Sequence, residues 1–315
     1  MGSSSGSEHS PGAGAGGDAA PFAGASSFTG PNGMRAGWRL AIYIALVIAL
    51  GFVVVVALRP LNPFLKSLTS INAGELSALG LNISEIALFL IVIVPAWIMS
   101  RVERRAPGEY GIPLKQAFGV RFWEGMLWGI VAISLMIGLI TAFKGYSFGS
   151  IAQTRRDIFI DGTLFLVAFL FVGFFEEFSF RGYTQYTLAS GIGFWPAAGI
   201  LSGLFGGTHL FNPGEGLVGA ASVFMIAMFF CLTLRRTGNL WFAIGLHCSF
   251  DWGETFLYSV PNSGTTTPGS LSHSTMQGAR WLTGGSVGPE GSVFCFLVVA
   301  LMFLVFHLLH PAKPE

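Results

Sequence analysis

In one apolar stretch, Phe174-Phe175-Glu176-Glu177-Phe178-Ser179-Phe180-Arg181-Gly182, two carboxylates and a guanidinium stand within six residues. A charge at mid-bilayer depth costs at least ~2.5 kcal/mol on insertion scales, so such groups need internal partners and by default mark a functional cavity. Helix geometry separates their roles. Glu177 and Arg181 are four residues apart and can pair on one face, whereas Glu176 is rotated by about 100° and is free to face something else. The first carboxylate then serves as counter-ion, and the second, desolvated, suits a general base.

Two further apolar stretches each bring a histidine: Phe205-Gly206-Gly207-Thr208-His209, and His247-Cys248-Ser249-Phe250-Asp251. One turn separates His247 from Asp251. The two can act on the same bound atom, or Asp251 can orient His247 and fix its tautomer. Each feature has a bland reading when taken singly: Glu177–Arg181 as a packing ion pair, His209 as an interhelical hydrogen-bond donor. Their conjunction on neighbouring apolar segments, in a chain otherwise nearly free of intramembrane charge, points to chemistry. Glu254, three residues past Asp251, can face the same cavity. Interfacial water accounts for Glu124 and Asp161 at the ends of spans. His307 and His310 are placed to snorkel at the last helix end, and His9 and His273 lie in polar segments.

Elements able to hold these groups follow from composition. Of 315 residues, 52% are hydrophobic and 10% charged, against roughly 25% charged in soluble domains. The expected fold is all-α, a polytopic membrane protein with about eight transmembrane helices, since a ~30 Å hydrocarbon core needs about 20 apolar residues per helix. Laid along the chain, that template covers 37–58, 85–99, 122–143, 162–188, 194–211, 216–234, 240–260 and 292–309. Residues 1–35 read as a flexible Gly/Ser/Ala-rich tail, 36–161 as the first three spans with a basic loop, 162–260 as the catalytic helices, 261–291 as a polar loop, and 292–315 as a last span and tail.

With the amino terminus inside, the inner segments hold ten basic residues and the outer ones six, the Arg155-Arg156 pair among the six. Both termini are therefore expected in the cytoplasm of a multi-pass cell-membrane protein. A net charge of +1 gives nucleic acid nothing to bind. Cys231, Cys248 and Cys295 are widely spaced in apolar stretches, which fits buried small hydrophobes rather than a disulfide framework or metal clip. Trp38, Trp97, Trp241, Trp252 and Trp281 suit an interfacial aromatic belt. No H-E-x-x-H helix is present, and no serine stands obviously paired with a histidine as nucleophile, which argues against the common zinc and serine hydrolase classes.

Glu-Glu-x-x-x-Arg at 176–181, Phe-x-x-x-His at 205–209 and His-x-x-x-Asp at 247–251 resemble the CPBP family of intramembrane proteases, which includes the type II CAAX prenyl endopeptidases. The resemblance covers about 162–258, including Phe180-Arg181-Gly182-Tyr183 and Arg236-Thr237-Gly238-Asn239-Leu240-Trp241. It implies an intramembrane endopeptidase acting on a hydrophobic or lipidated peptide or protein substrate. Glu176 would be the general base on a water that His209 helps to hold, with His247 and Asp251 stabilising the oxyanion and Glu177 and Arg181 in support. One departure stands out: Asp251 occupies a position where the prenyl-protein enzymes carry Asn, and an ionised Asp would repel an oxyanion. Asp251 would then donate as a protonated acid, orient His247, or ligate a metal. No cofactor is the expectation; the alternative is zinc held by Glu176, His209, His247 and Asp251. Two other classes share the residue types. A proton-coupled transporter would use the same groups as a relay, but brings internal repeats and paired broken helices that the sequence does not show. A non-catalytic peptide-binding scaffold would be expected to have lost one of Glu176, His209 or His247.

Overall fold

The computed structural model describes residues 28–30, 33–72 and 75–312. Most of the expected flexible tail, residues 1–27, lies outside the described residues. Next to it, β1 (Thr29–Gly30) and β2 (Gly33–Met34) pair antiparallel.

From Ala36 onward the chain is helical: α1 (Ala36–Leu58), α2 (Asn62–Thr69), α3 (Ala78–Glu103), α4 (Val120–Ala142), α5 (Arg155–Arg181), α6 (Tyr183–Ile192), α7 (Phe194–His209), α8 (Leu217–Thr237), α9 (Trp241–Trp252), α10 (Arg280–Thr283) and α11 (Val293–Leu309). Small antiparallel pairs, β3 (Ser70–Asn72) with β4 (Glu75–Leu76) and β5 (Tyr146–Ser147) with β6 (Thr275–Met276), pin loops between helices. Among the described residues five stretches, 36–67, 78–103, 120–142, 155–192 and 217–237, are long and apolar enough to cross a membrane, and α11 is a shorter apolar helix. This is an all-α multi-pass membrane protein. α1 shows the logic most simply: its only buried residue is Tyr43, while Ile48, Phe52, Val53 and Val55 are exposed, because hydrocarbon, not water, is the solvent for that face.

Local chemistry sets the ends. Ser77 Oγ accepts from Gly80 N at 3.1 Å to start α3, and Thr154 Oγ1 accepts from Asp157 N at 3.3 Å to start α5, each satisfying an orphan amide. Expected span 162–188 is interrupted at Gly182, where ψ of −121° leaves the helical region and α5 gives way to α6; a β-carbon there would lie 2.5 Å from the Phe178 carbonyl oxygen. α7 and α9 are shorter than the spans expected of them. A five-residue π-helical turn, Gly253–Leu257, extends α9; such turns carry a register change that recurs at functional sites.

Packing is closest between α4 and α9. A β-carbon at Gly125 would lie 2.1 Å from the Phe242 carbonyl oxygen, one at Gly129 2.2 Å from that of Leu246, and one at Gly245 2.2 Å from that of Phe122. Backbone thus rests on backbone, the small-residue contact by which helices associate where lipid removes the hydrophobic drive. Gly173 does the same for α5, its missing β-carbon facing the Ile244 carbonyl at 3.1 Å.

Candidate active site

α5 delivers Glu176, Glu177 and Arg181 near its C-terminal end. The Glu177 and Arg181 side chains are completely buried, and Arg181 Nη1 donates to Glu177 Oε1 at 3.3 Å, the pair that their spacing implies. Burial on this scale is tolerable because the guanidinium is wrapped in aromatic faces. Its carbon lies 4.4 Å from the Phe205 ring centroid and 5.6 Å from that of Phe230, cation–π contacts that take the place of water. Arg181 Nε and Nη2 have no hydrogen-bond partner of their own, nor does Glu177 Oε2.

α9 supplies His247. Its Nδ1 sits 3.0 Å from Glu177 Oε1, and since a carboxylate accepts, Nδ1 is the donor in that contact. Glu177 is therefore not only the partner of Arg181. It also orients an imidazole from another helix, a link the i, i+4 spacing alone did not reveal. The ring stacks on Phe230, centroids 5.6 Å apart and planes at 14°. Nε2 is left facing Glu176 Oε2 and Asp251 Oδ2, each at 3.5 Å, too long for firm hydrogen bonds but close enough for electrostatic pairing.

His209 closes α7. Its Nδ1 donates to the Phe205 carbonyl at 2.9 Å, which fixes the ring and leaves Nε2 as the free nitrogen. A cavity of about 210 Å³ is lined by Glu176, His209, His247 and Asp251 together, with apolar walls that include Phe169, Val172, Phe205 and Phe230. The four residues singled out by spacing thus meet at one cavity, brought there by α5, α7 and α9. Glu176 keeps a quarter of its side chain accessible, whereas Asp251 is nine-tenths covered.

Among the described residues, no group of three or more His, Cys, Asp or Glu side chains converges with geometry able to hold a metal ion. With Nδ1 of His247 held by Glu177 and Nδ1 of His209 by a carbonyl, Nε2 is the nitrogen that each offers to the cavity.

Several groups at this site escaped the sequence reading. The segment 261–291, expected only as a polar loop, folds back so that Asn262, Ser263, Thr265, Thr267 and Glu290 line the cavity. Glu290 Oε2 accepts from Ser263 N at 2.9 Å and Ser263 Oγ at 2.7 Å; burial pushes its carboxyl up from its ordinary value, opposed by those hydrogen bonds. On α3, Glu85 is within electrostatic reach of Glu176 and His247. Glu254, which spacing allowed to face the same cavity, is fully buried on the π-helical turn and is not among the lining residues, and neither carboxylate oxygen has a hydrogen-bond partner.

Other expectations shift in detail. His310 does not merely snorkel: its Nε2 is 2.7 Å from Glu124 Oε1, and His307 Nδ1 is 3.3 Å from Arg236 Nη2. Trp241 is buried, its indole donating to the Pro113 carbonyl at 3.2 Å, so it braces a loop rather than joining an interfacial belt. Cys231, Cys248 and Cys295 are buried and free.

Compared with known families, residues 158–253 match the family described as type II CAAX prenyl endopeptidase, Rce1-like. The match takes in Glu176, His209, His247 and Asp251, though less than half of the chain. A comparison with curated proteins found no match.

Proposed function

For a multi-pass membrane protein related to the CAAX-type intramembrane proteases, we propose that the cavity hydrolyses a peptide bond of a hydrophobic or lipidated substrate, with water activated by Glu176. The observation that carries this reading is the convergence of Glu176, His209, His247 and Asp251 on one cavity, with the imidazole of His247 held by the fully buried Glu177.

Roles follow from which atoms are free. Glu176 is the carboxylate with accessible surface, so it takes the proton from a water in the cavity. His209, its Nδ1 committed to Phe205, offers Nε2 to hold that water. As the water's oxygen bonds to the scissile carbonyl carbon, negative charge grows on the carbonyl oxygen. His247 points Nε2 into the cavity and, when that nitrogen carries a proton, donates to the oxyanion; Glu177 on Nδ1 keeps the ring from rotating. The tetrahedral intermediate then collapses, the C–N bond breaks, and the proton held by Glu176 passes to the departing amine. Asp251 positions His247 from one turn away. Pre-aimed donors in a water-poor site matter most here, since a charge in low dielectric is felt far more strongly than in water.

The test is cleavage of a hydrophobic peptide library by purified protein in detergent. His247→Ala should lose about 10²–10³-fold in kcat, the usual scale for an oxyanion donor, while a chelator should leave the native rate unchanged. Loss on chelation that zinc restores would replace the glutamate mechanism with a metal-dependent one, and equal rates in native and variant protein would refute the site. Asp251→Asn, which keeps a polar group of the same shape, should hold kcat within about tenfold. A loss as deep as that of His247→Ala would instead assign Asp251 a direct part in the proton transfers.

A further inference from the structure

Charges along the cavity wall do not balance. Three carboxylates line it, Glu176, Asp251 and Glu290, against two imidazoles, His209 and His247, and no lysine or arginine is among the described lining residues. Arg181 stands outside this count, paired with Glu177. Even with both imidazoles protonated, one carboxylate is left without a counter-charge, and in a water-poor cavity such a charge gains more from a partner than it would in water.

Contacts show which carboxylate is open. Glu176 and Asp251 both face His247 Nε2 at 3.5 Å. Glu290 comes instead from the 261–291 segment, which lies outside the family match at 158–253. Its Oε2 accepts both hydrogen bonds from Ser263, and no hydrogen bond reaches Oε1. His209 is within electrostatic reach of Glu290, but so is Glu215, of its own sign. The mounting is firm. Ser222 Oγ on α8 donates to the Glu290 carbonyl at 2.7 Å, and Gly264 N donates to the Val287 carbonyl at 2.9 Å. Gly288 holds φ at +109°, where a β-carbon would overlap the Pro261 carbonyl oxygen, so only glycine fits. A carboxylate fixed in this way, 7% exposed, loses little freedom on binding a ligand.

We infer that Glu290 is a specificity residue of this chain: its Oε1 receives a cationic nitrogen of the substrate, an ammonium or guanidinium, while the apolar wall takes the neighbouring side chains. The substrate class is then an apolar peptide segment with a positive charge close to the scissile bond. Its cleavage rests on the proteolytic reading; binding of the cation does not.

The test uses the purified full chain in detergent and a hydrophobic peptide in which lysine replaces norleucine at one position at a time on either side of the cut. Norleucine keeps most of the lysine chain without the charge. Acetylated peptides present only the side-chain ammonium and unblocked norleucine peptides only the terminal one, so the two arms separate the sources. In one arm kcat/KM should exceed that of the acetylated norleucine peptide by about 10–10²-fold, the worth of a hydrogen bond to a charged group. Glu290→Gln should abolish that ratio, which is read within one protein and so is insensitive to a general loss of activity. Should Glu290→Gln lose its thermal transition, Glu290→Asp takes its place, since drawing the carboxylate back by one methylene should lower the ratio. A native ratio near one for every peptide, or a ratio unchanged in the variant, overturns the inference. If the native protein cuts none of the peptides, the proteolytic reading fails and equilibrium binding of the same peptides decides the cation site: a charged peptide bound about tenfold more tightly keeps it, and equal affinities sink it.

Discussion

Glu176→Gln lowers kcat for peptide cleavage by about 10²–10⁴-fold, the span that a positioned proton-transfer group contributes, with little change in KM. The amide matches the carboxylate in shape and keeps its contact with the cavity, but cannot accept a proton from water. Folding should survive, because Glu176 is the carboxylate of this cluster with a quarter of its side chain accessible and no buried partner is stranded by the change. The comparison is made in detergent on a single peptide, with the thermal midpoint measured in parallel. A variant that retains more than a tenth of the native rate would remove Glu176 from the role of base.

Arg181→Met destabilises by about 3–5 kcal/mol, the cost of leaving a buried carboxylate without its counter-charge. Methionine fills much of the same space between Phe205 and Phe230, so lost packing is minor and the effect reports the charge. Glu177 would be the residue stranded, and through its 3.0 Å contact with His247 Nδ1 the damage would reach the site. Pairing the change with Glu177→Gln removes the stranded charge and should recover most of the stability without recovering activity. Thermal unfolding of the native protein and these two variants in one detergent tests this; an Arg181→Met midpoint equal to the native one would show that the pair carries no net stabilisation.

How much of this was legible beforehand depended on whether a signal was local. The Glu177–Arg181 pair and the shared face of His247 and Asp251 are i, i+4 relations, fixed by helix geometry before any tertiary contact exists. The apolar spans were legible for the same reason, as runs of composition. Where two helices must meet, spacing says nothing: the His247–Glu177 bond crosses seventy residues of chain and depends on the glycine contacts among α4, α5 and α9. Glu290 and Asn262 were hidden more deeply, since a polar loop rich in Gly, Ser and Thr reads as solvent-exposed chain until it is seen to fold over the cavity. For Glu254 the i, i+3 spacing from Asp251 gave only a possibility, because the π-helical turn at 253–257 alters the register that such an argument assumes.

The glycine contacts between α4 and α9 also set how mutation can act on this protein. On the exposed face of α1, with Ile48, Phe52, Val53 and Val55, one large apolar side chain can replace another with little consequence. At Gly125, Gly129 and Gly245 even a methyl group would stand about 2 Å from a carbonyl oxygen, and the helices would have to part to admit it. Gly245 lies two residues before His247, so that parting moves the imidazole away from Glu177. Tolerance to substitution is thereby divided between a permissive lipid-facing shell and a seam at which the bare backbone is the only fitting surface, and changes at that seam are expected to silence the protein without touching a chemically active group.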